Sequence, residues 1–188
     1  MRGAFEQFRV LIAPGLHGSG PDHWQSRWQR LFPAFERVRQ EDWEVPDLMC
    51  WSARVDQVRR QGGAAARKPV LIVGHSFGAL ATAHSVARDP ANVAGVLLVA
   101  PADPDKFKVA SLLPQHALPV PSIMVGSTND PWMAAPRAAL WARRWQSRFI
   151  NGGALGHINA ESGLGDWPEG LETLYFLAQQ AHNSVLSV

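Results

Sequence analysis

The chain has 188 residues, of which 46% are hydrophobic and 18% charged; this composition excludes a disordered chain, and the length suits one domain covering residues 1–188. The formal net charge is only +2, and no block of like charges accompanies it, so binding to nucleic acid or to an anionic membrane is not indicated. The one cysteine, Cys50, cannot form an internal disulfide, and no apolar run approaches the roughly 18 residues of a membrane-spanning helix. We therefore expect a cytoplasmic protein.

Short β-branched apolar runs alternate with longer stretches of helical period along the chain. This alternation predicts an α/β domain of three layers, with helices on both faces of a mainly parallel sheet. The predicted strands are residues 8–13, 38–43, 70–73, 96–99, 122–125 and 148–150. The predicted helices begin at residues 22 and 47, cover 78–88, begin again near 136, and close the chain over 169–180. No linker or internal repeat interrupts the pattern, which supports a single domain.

Two aspartates predict where the first two helices begin. Asp22, with Gln25 three positions later, has the pattern of a capping box. Asp47 precedes a run in which apolar residues repeat at spacings of three and four, and Gly62-Gly63 is predicted to end that helix.

A serine follows the clearest predicted strand, in the segment Gly74-His75-Ser76-Phe77-Gly78, which has the pattern G-x-S-x-G. A strand-to-helix turn of this kind holds the serine in a strained conformation clear of the sheet, and flanking glycines allow the chain to reverse. The helix that follows supplies backbone N–H groups where a negatively charged oxygen would form. The pattern therefore predicts Ser76 as a nucleophile; the alternative is a glycine-flanked serine in an ordinary turn.

A serine nucleophile needs a base, and on this kind of turn the acid and then the histidine follow the serine along the chain. His157 fits that order, because it lies after the last predicted strand in a glycine-rich loop. Three histidines precede the serine, namely His17, His23 and His75. Of the others, His84 lies in the helix behind the serine, His116 leaves no later strand-end acid in the required order, and His182 belongs to the C-terminal tail. His157 is thus the predicted base.

The acid that orients the base has two candidates. Asp130 directly follows the predicted strand 122–125, which places it at the carboxyl edge of the sheet, where α/β sites form. Asp103 follows the preceding strand and is the alternative, since either strand end could bring a carboxylate near the base. Both also fit an Asx turn that opens a loop. We favour Asp130.

The remaining parts of the site are predicted from the loops. The backbone N–H of Phe77, after the nucleophile, and that of Leu16, in the glycine-rich loop after the first strand, are the expected oxyanion donors. That loop lacks the patterns of a nucleotide site. His17 and His23 lack metal-ligand spacing, so no metal and no other cofactor is expected. Trp132, beside the favoured acid, is a candidate for the substrate pocket.

Several short segments together carry a family resemblance. In chain order they are Pro14-Gly15, Asp22-His23-Trp24, Gly74-His75-Ser76-Phe77-Gly78, Asn129-Asp130-Pro131, Gly156-His157-Ile158-Asn159, Glu161-Ser162-Gly163 and Trp167-Pro168. With them the sequence resembles the small serine hydrolases of the α/β-hydrolase superfamily that include retinoblastoma-binding protein and its bacterial relatives. The resemblance implies a compact hydrolase core without a large lid, and a triad of Ser76, Asp130 and His157. It does not imply the protein-binding activity, because residues 48–52 have serine where the pocket-binding motif needs an acid.

The sequence thus predicts a metal-free serine hydrolase that cleaves esters or related acyl compounds through an acyl-enzyme. An amidase or an acyltransferase would use the same residues, and a binding module of the same fold with little catalysis is the alternative of a different class. The expected partner is a small-molecule acyl substrate, and no oligomeric state is predicted. Residues 106–121 are the only candidate for a cap, so we expect an open, shallow pocket with weak discrimination of acyl length.

Overall fold

A computed structural model of the chain describes residues 2–61 and 67–186. Its strands are β1 (Arg9–Ala13), β2 (Glu36–Arg37), β3 (Val70–His75), β4 (Val93–Val99), β5 (Ser122–Gly126) and β6 (Arg148–Asn151). Its helices are α1 (Trp24–Leu31), α2 (Leu48–Arg60), α3 (Phe77–Arg88), α4 (Ala135–Arg144) and α5 (Pro168–Leu186). The strands form one parallel sheet in the order β2-β1-β3-β4-β5-β6. The predicted α/β class with a mainly parallel sheet is therefore confirmed.

Helices cover both faces of the sheet, as its sequence requires. Every residue of β1 and β3 is buried, because a parallel strand enclosed on both sides exposes neither set of alternating side chains. Ile72 of β3 belongs to a core shared with α2, α3 and α4, whereas its neighbours Leu71 and Val73 belong to a core shared with α1 and α5. The sheet thus separates two apolar cores, and this gives the three layers.

Residues 106–121, the candidate cap, do not form a lid. They contain neither helix nor strand. Val109, Leu113, Leu118 and Val120 are buried in the core that contains α3. Because its apolar side chains are used in the core, the segment lies against the body of the protein, and only Phe107 borders the cavity described below.

Helix α1 begins one residue later than the capping-box pattern predicts, so the assignment of Asp22 as N-cap was wrong. The N-cap is His23, whose Nδ1 accepts a hydrogen bond from the Gln25 N–H at 3.2 Å. The side chain of Gln25 is fully buried instead of reaching back to the cap: its Oε1 accepts from the Ser19 hydroxyl at 2.6 Å, and its Nε2 donates to the Val73 carbonyl at 3.1 Å. Helix α2 does begin after Asp47, which accepts a hydrogen bond at its first turn; Gly62-Gly63 lies outside the described residues.

The second strand is shorter than predicted and lies earlier in the chain. β2 lies at the edge of the sheet and pairs with β1 through two residues. The N–H of the next residue, Val38, donates to the Ile12 carbonyl. Beyond that point the apolar residues belong to a loop: Trp43 packs edge-on against Trp51 of α2 with ring centres 5.7 Å apart. The prediction of a strand over 38–43 was therefore wrong, because packing against a helix rather than sheet pairing explains the apolar residues there.

Candidate active site

Ser76 lies on the sharp turn between β3 and α3, in the middle of the sheet. Its φ of 52° and ψ of −123° are strained for a residue with a side chain. The flanking glycines are required by close packing: a Cβ at Gly78 would lie 2.3 Å from the carbonyl oxygens of Ala13 and Pro14, and one at Gly74 would lie 2.7 Å from the Ala79 Cα. Tight contact between the turn and β1 thus holds the serine in this conformation.

The structure brings Ser76, His157 and Asp130 together in one hydrogen-bonded chain. His157 Nε2 lies 2.9 Å from Ser76 Oγ, and His157 Nδ1 lies 2.9 and 3.0 Å from the two Asp130 carboxylate oxygens. The side chain of Asp130 is only 2% exposed and that of His157 is 10% exposed. A carboxylate facing Nδ1 keeps the proton on that nitrogen and leaves Nε2 free to accept the serine proton.

Asp103, the alternative acid, is engaged elsewhere. Its Oδ1 accepts from Arg137 Nε at 2.9 Å, and it also accepts the Asp105 N–H at 3.1 Å. Asp130 has a turn of its own, since Oδ1 accepts the Trp132 N–H at 2.8 Å. The same carboxylate therefore shapes its loop and faces the histidine.

The two predicted oxyanion donors belong to the two segments that border Ser76, the start of α3 and the loop after β1. Phe77 is the first residue of α3, and Leu16 borders the same cavity as the serine. The loop that contains Leu16 approaches closely: a Cβ at Gly15 would lie 2.7 Å from the Ser76 Cβ and 3.3 Å from its Oγ. Neither amide donates a hydrogen bond to any other part of the chain that the structure describes. Both are thus available to an acceptor oxygen, which leaves the oxyanion role a prediction.

A cavity of about 400 Å³ opens beside Ser76 and His157. Its wall includes Trp132, which is 53% exposed and whose ring centre lies 6.3 Å from that of His157. Lys106 Nζ donates to the Trp132 carbonyl at 2.8 Å and ties this loop to the segment after β4. Trp132 therefore borders the cavity beside the serine, and its part in substrate binding stays a prediction.

Two further histidines lie beneath the site, and the sequence analysis assigned neither a role. His75 Nε2 lies 3.0 Å from the His157 carbonyl oxygen, and its ring centre is 4.7 Å from that of His23. Burial lowers the pKa of His75 well below its usual value, and burial also lowers the pKa of His23 to about 3. Both rings are thus neutral near pH 7, and since a carbonyl can only accept, the proton of His75 is on Nε2. The sequence could not predict that these two histidines contact each other and the His157 loop, because the contacts form only when the loops fold together.

The described residues meet neither the requirements of a metal-ligand cluster nor those of a membrane-spanning helix. Across 2–61 and 67–186, no three His, Cys, Asp or Glu side chains are grouped so as to hold a metal ion. Over the same ranges, none of the helices combines the length and the apolar character needed to span a membrane.

A parallel sheet with a serine on the turn after a central strand, and a histidine bonded to it, defines an α/β-hydrolase fold. The chain belongs to the serine hydrolase family, whose sequence model matches residues 10–176. It is 38% identical to a protein from Pectobacterium atrosepticum described as a YdeN-like hydrolase, over 95% of both chains and with a TM-score of 0.89. The predicted family is therefore confirmed.

More distant structures share the fold. The ydeN gene product of B. subtilis is 18% identical, with a TM-score of 0.70 over 89% of this chain and 97% of that one. An alpha-beta serine hydrolase homologue from Coxiella burnetii is 14% identical, with a TM-score of 0.64 over 92% and 84% of the two chains. No curated protein matches the sequence.

Proposed function

We propose that this serine hydrolase cleaves esters or related acyl compounds through an acyl-enzyme on Ser76. The observation that carries the proposal is the unbroken hydrogen-bonded chain from Ser76 Oγ through the His157 ring to Asp130. In such a chain the histidine accepts the serine proton as Oγ attacks, and the carboxylate stabilises the imidazolium that forms.

The reaction proceeds in two halves. Ser76 Oγ bonds to the carbonyl carbon, its proton moves to His157 Nε2, and the carbonyl electron pair moves onto oxygen to give a tetrahedral oxyanion. The amides of Leu16 and Phe77 donate to that oxygen; loss of one such donor typically costs about 3–4 kcal/mol of transition-state stabilisation. The oxyanion then collapses, the bond from the carbonyl carbon to the leaving group breaks, and the imidazolium gives that group its proton. In the second half a water attacks the acyl carbon while His157 Nε2 accepts its proton; the new oxyanion collapses, the bond to Ser76 Oγ breaks, and the proton passes to Oγ as the acid leaves.

The cavity favours small or flexible acyl groups. It is bordered by Trp132 and Phe107, and within the part of the chain that the structure describes no segment covers the half-exposed tryptophan. Because the cavity is open on this side, an added methylene in the acyl chain should change transition-state binding little. We therefore expect kcat/KM to vary by less than about tenfold across short straight-chain esters. Steeply rising activity on long-chain esters would contradict this part of the proposal.

The test is covalent labelling together with turnover. A fluorophosphonate probe should label the wild-type protein stoichiometrically, and Ser76→Ala should lose both labelling and hydrolysis of activated esters while keeping its fold. Ser111→Ala is the matched control, because Ser111 is exposed and lies outside the cavity. Stoichiometric labelling of Ser76→Ala would refute the assignment, and a wild-type protein without turnover would indicate a binding module.

A further inference from the structure

The loop that carries His157 needs external support. Residues 152–159 contain three glycines, and Gly153, Gly156 and Ile158 have positive φ values of 84°, 58° and 48°. The segment follows the short edge strand β6 and contains no helix or strand of its own beyond it. Glycines let the backbone take many conformations, so the position of the His157 ring depends on what binds this backbone.

One set of hydrogen bonds comes from the loop after β5. Asn129 Oδ1 accepts the Gly156 N–H at 2.7 Å, directly before His157 in the chain. The Ser127 hydroxyl donates to the same Asn129 oxygen at 2.9 Å and accepts the Leu155 N–H at 2.9 Å. Ser127 thus orients the asparagine oxygen while also binding the histidine loop itself.

A second set comes from the opposite side. His75 Nε2–H donates to the His157 carbonyl at 3.0 Å, and Trp24 Nε1–H donates to the Ile158 carbonyl at 2.8 Å. The backbone on both sides of the His157 Cα is therefore bonded: the preceding amide to Asn129, the following carbonyls to His75 and Trp24.

A regularity links these bonds to the ring contacts. His75 directly precedes Ser76, and Asn129 directly precedes Asp130. In each pair one residue hydrogen-bonds the His157 ring, and its neighbour hydrogen-bonds the backbone of the loop: His75 the His157 carbonyl, and Asn129 the Gly156 N–H. The two turns that supply the ring partners thus also set where the ring stands.

From this geometry we infer that Asn129 is a positioning residue, which holds the Gly156–His157 backbone so that the ring reaches Ser76 and Asp130 together. The inference rests on the proposed hydrolase function. Asn129 itself is exposed, so water can satisfy the Gly156 N–H when the side chain is removed, and the fold should survive. What is lost is the fixed position of the ring, and misplacement of a catalytic group lowers kcat more than it affects binding.

The experiment compares three variants of the full chain on one small activated ester. Asn129→Leu removes the acceptor and should lower kcat about ten- to hundredfold with KM within twofold. Asn129→Asp keeps an acceptor oxygen at the same place and should restore kcat to within about threefold of wild type. Asn151→Leu is the control, because Asn151 Oδ1 also accepts a glycine N–H of this loop, that of Gly153 at 2.9 Å, but away from His157; its kcat should stay within about threefold of wild type.

A proton NMR signal gives a readout that does not depend on turnover. The Nδ1–H of His157, donated to Asp130, should give a downfield resonance that is absent from His157→Gln. Asn129→Leu should broaden or remove that resonance, whereas Asn129→Asp and Asn151→Leu should retain it.

Two results would overturn the inference: an Asn129→Leu protein that keeps both kcat and the resonance, or an Asn151→Leu protein that loses as much kcat as Asn129→Leu. Absence of Ser76-dependent turnover in the wild type would instead refute the proposed function, and the resonance would still test the position of the ring.

Discussion

Gly15→Ala tests whether the loop after β1 must approach Ser76 as closely as the structure shows. The added Cβ would lie 2.7 Å from the Ser76 Cβ, 3.2 Å from the His75 carbonyl oxygen and 3.3 Å from Ser76 Oγ. Real Cβ atoms essentially never lie closer than 3.0 Å to another heavy atom, and ordinary van der Waals contact begins at 3.4 Å, so from 2.7 Å the loop and the serine must separate by 0.3 to 0.7 Å. Because a displacement of about 1 Å can cost about a hundredfold in rate, we expect kcat to fall about ten- to hundredfold.

The matched control is Gly20→Ala, in the same loop. A Cβ at Gly20 meets nothing within 4 Å, so kcat should remain within about twofold of wild type. Both variants are assayed for kcat and KM on a small activated ester, and their free energies of unfolding are measured in urea. Overpacking at Gly15 should cost about 1–3 kcal/mol of that free energy. If Gly15→Ala keeps wild-type kcat, or if Gly20→Ala loses as much, the argument from close approach fails.

Two further predictions concern the carboxylates and the buried side chain of His23. Asp130→Asn should lower kcat by about 10⁴-fold, as loss of the orienting acid does elsewhere, whereas Asp103→Asn should change it by less than about threefold because Asp103 pairs with Arg137; the reverse ranking on the same ester would show the acid to be Asp103. The folded-state pKa of His23 is about 3 against 6.5 for an ordinary histidine, so between these values the unfolded chain binds the additional proton. His23 therefore makes the free energy of unfolding rise with pH across this window, by at most about 1.4 kcal/mol per pH unit, with the full contribution present above pH 6.5. His23→Asn, which keeps an N-cap acceptor, should show a shallower rise in urea unfolding between pH 4 and 6.5, and an unchanged slope would contradict the reasoning.

The fold and the position of the serine could be predicted because their signals are local. The run Val70-Leu71-Ile72-Val73 followed by G-x-S-x-G predicts a buried strand, a turn and a helix in immediate succession, and the structure has β3 and α3 there. The order rule then selected His157, and Asp130 was favoured over Asp103 for its place directly after a predicted strand; the structure joins both to Ser76 in one hydrogen-bonded chain.

Other features depend on contacts between distant segments, which no local pattern specifies. His23 rather than Asp22 caps α1, because the chain places the imidazole, not the carboxylate, over the first turn. The apolar side chain of Trp43 packs on α2 instead of entering a strand. The bond from Asn129 to the Gly156 amide joins two loops 27 positions apart, so the sequence showed the asparagine without showing its partner.

The edge strand β6 should unfold more readily than the central strands of the sheet. It has four residues, pairs with β5 alone among the described strands, and has no fully buried side chain. Ser76 follows the central strand β3, whereas His157 lies in the loop that follows the edge strand β6. Local unfolding of β6 alone would separate His157 from Ser76 while both apolar cores stay folded. On heating, hydrolytic activity should therefore be lost at a temperature below that of global unfolding. On cooling, the activity should return without refolding of the cores.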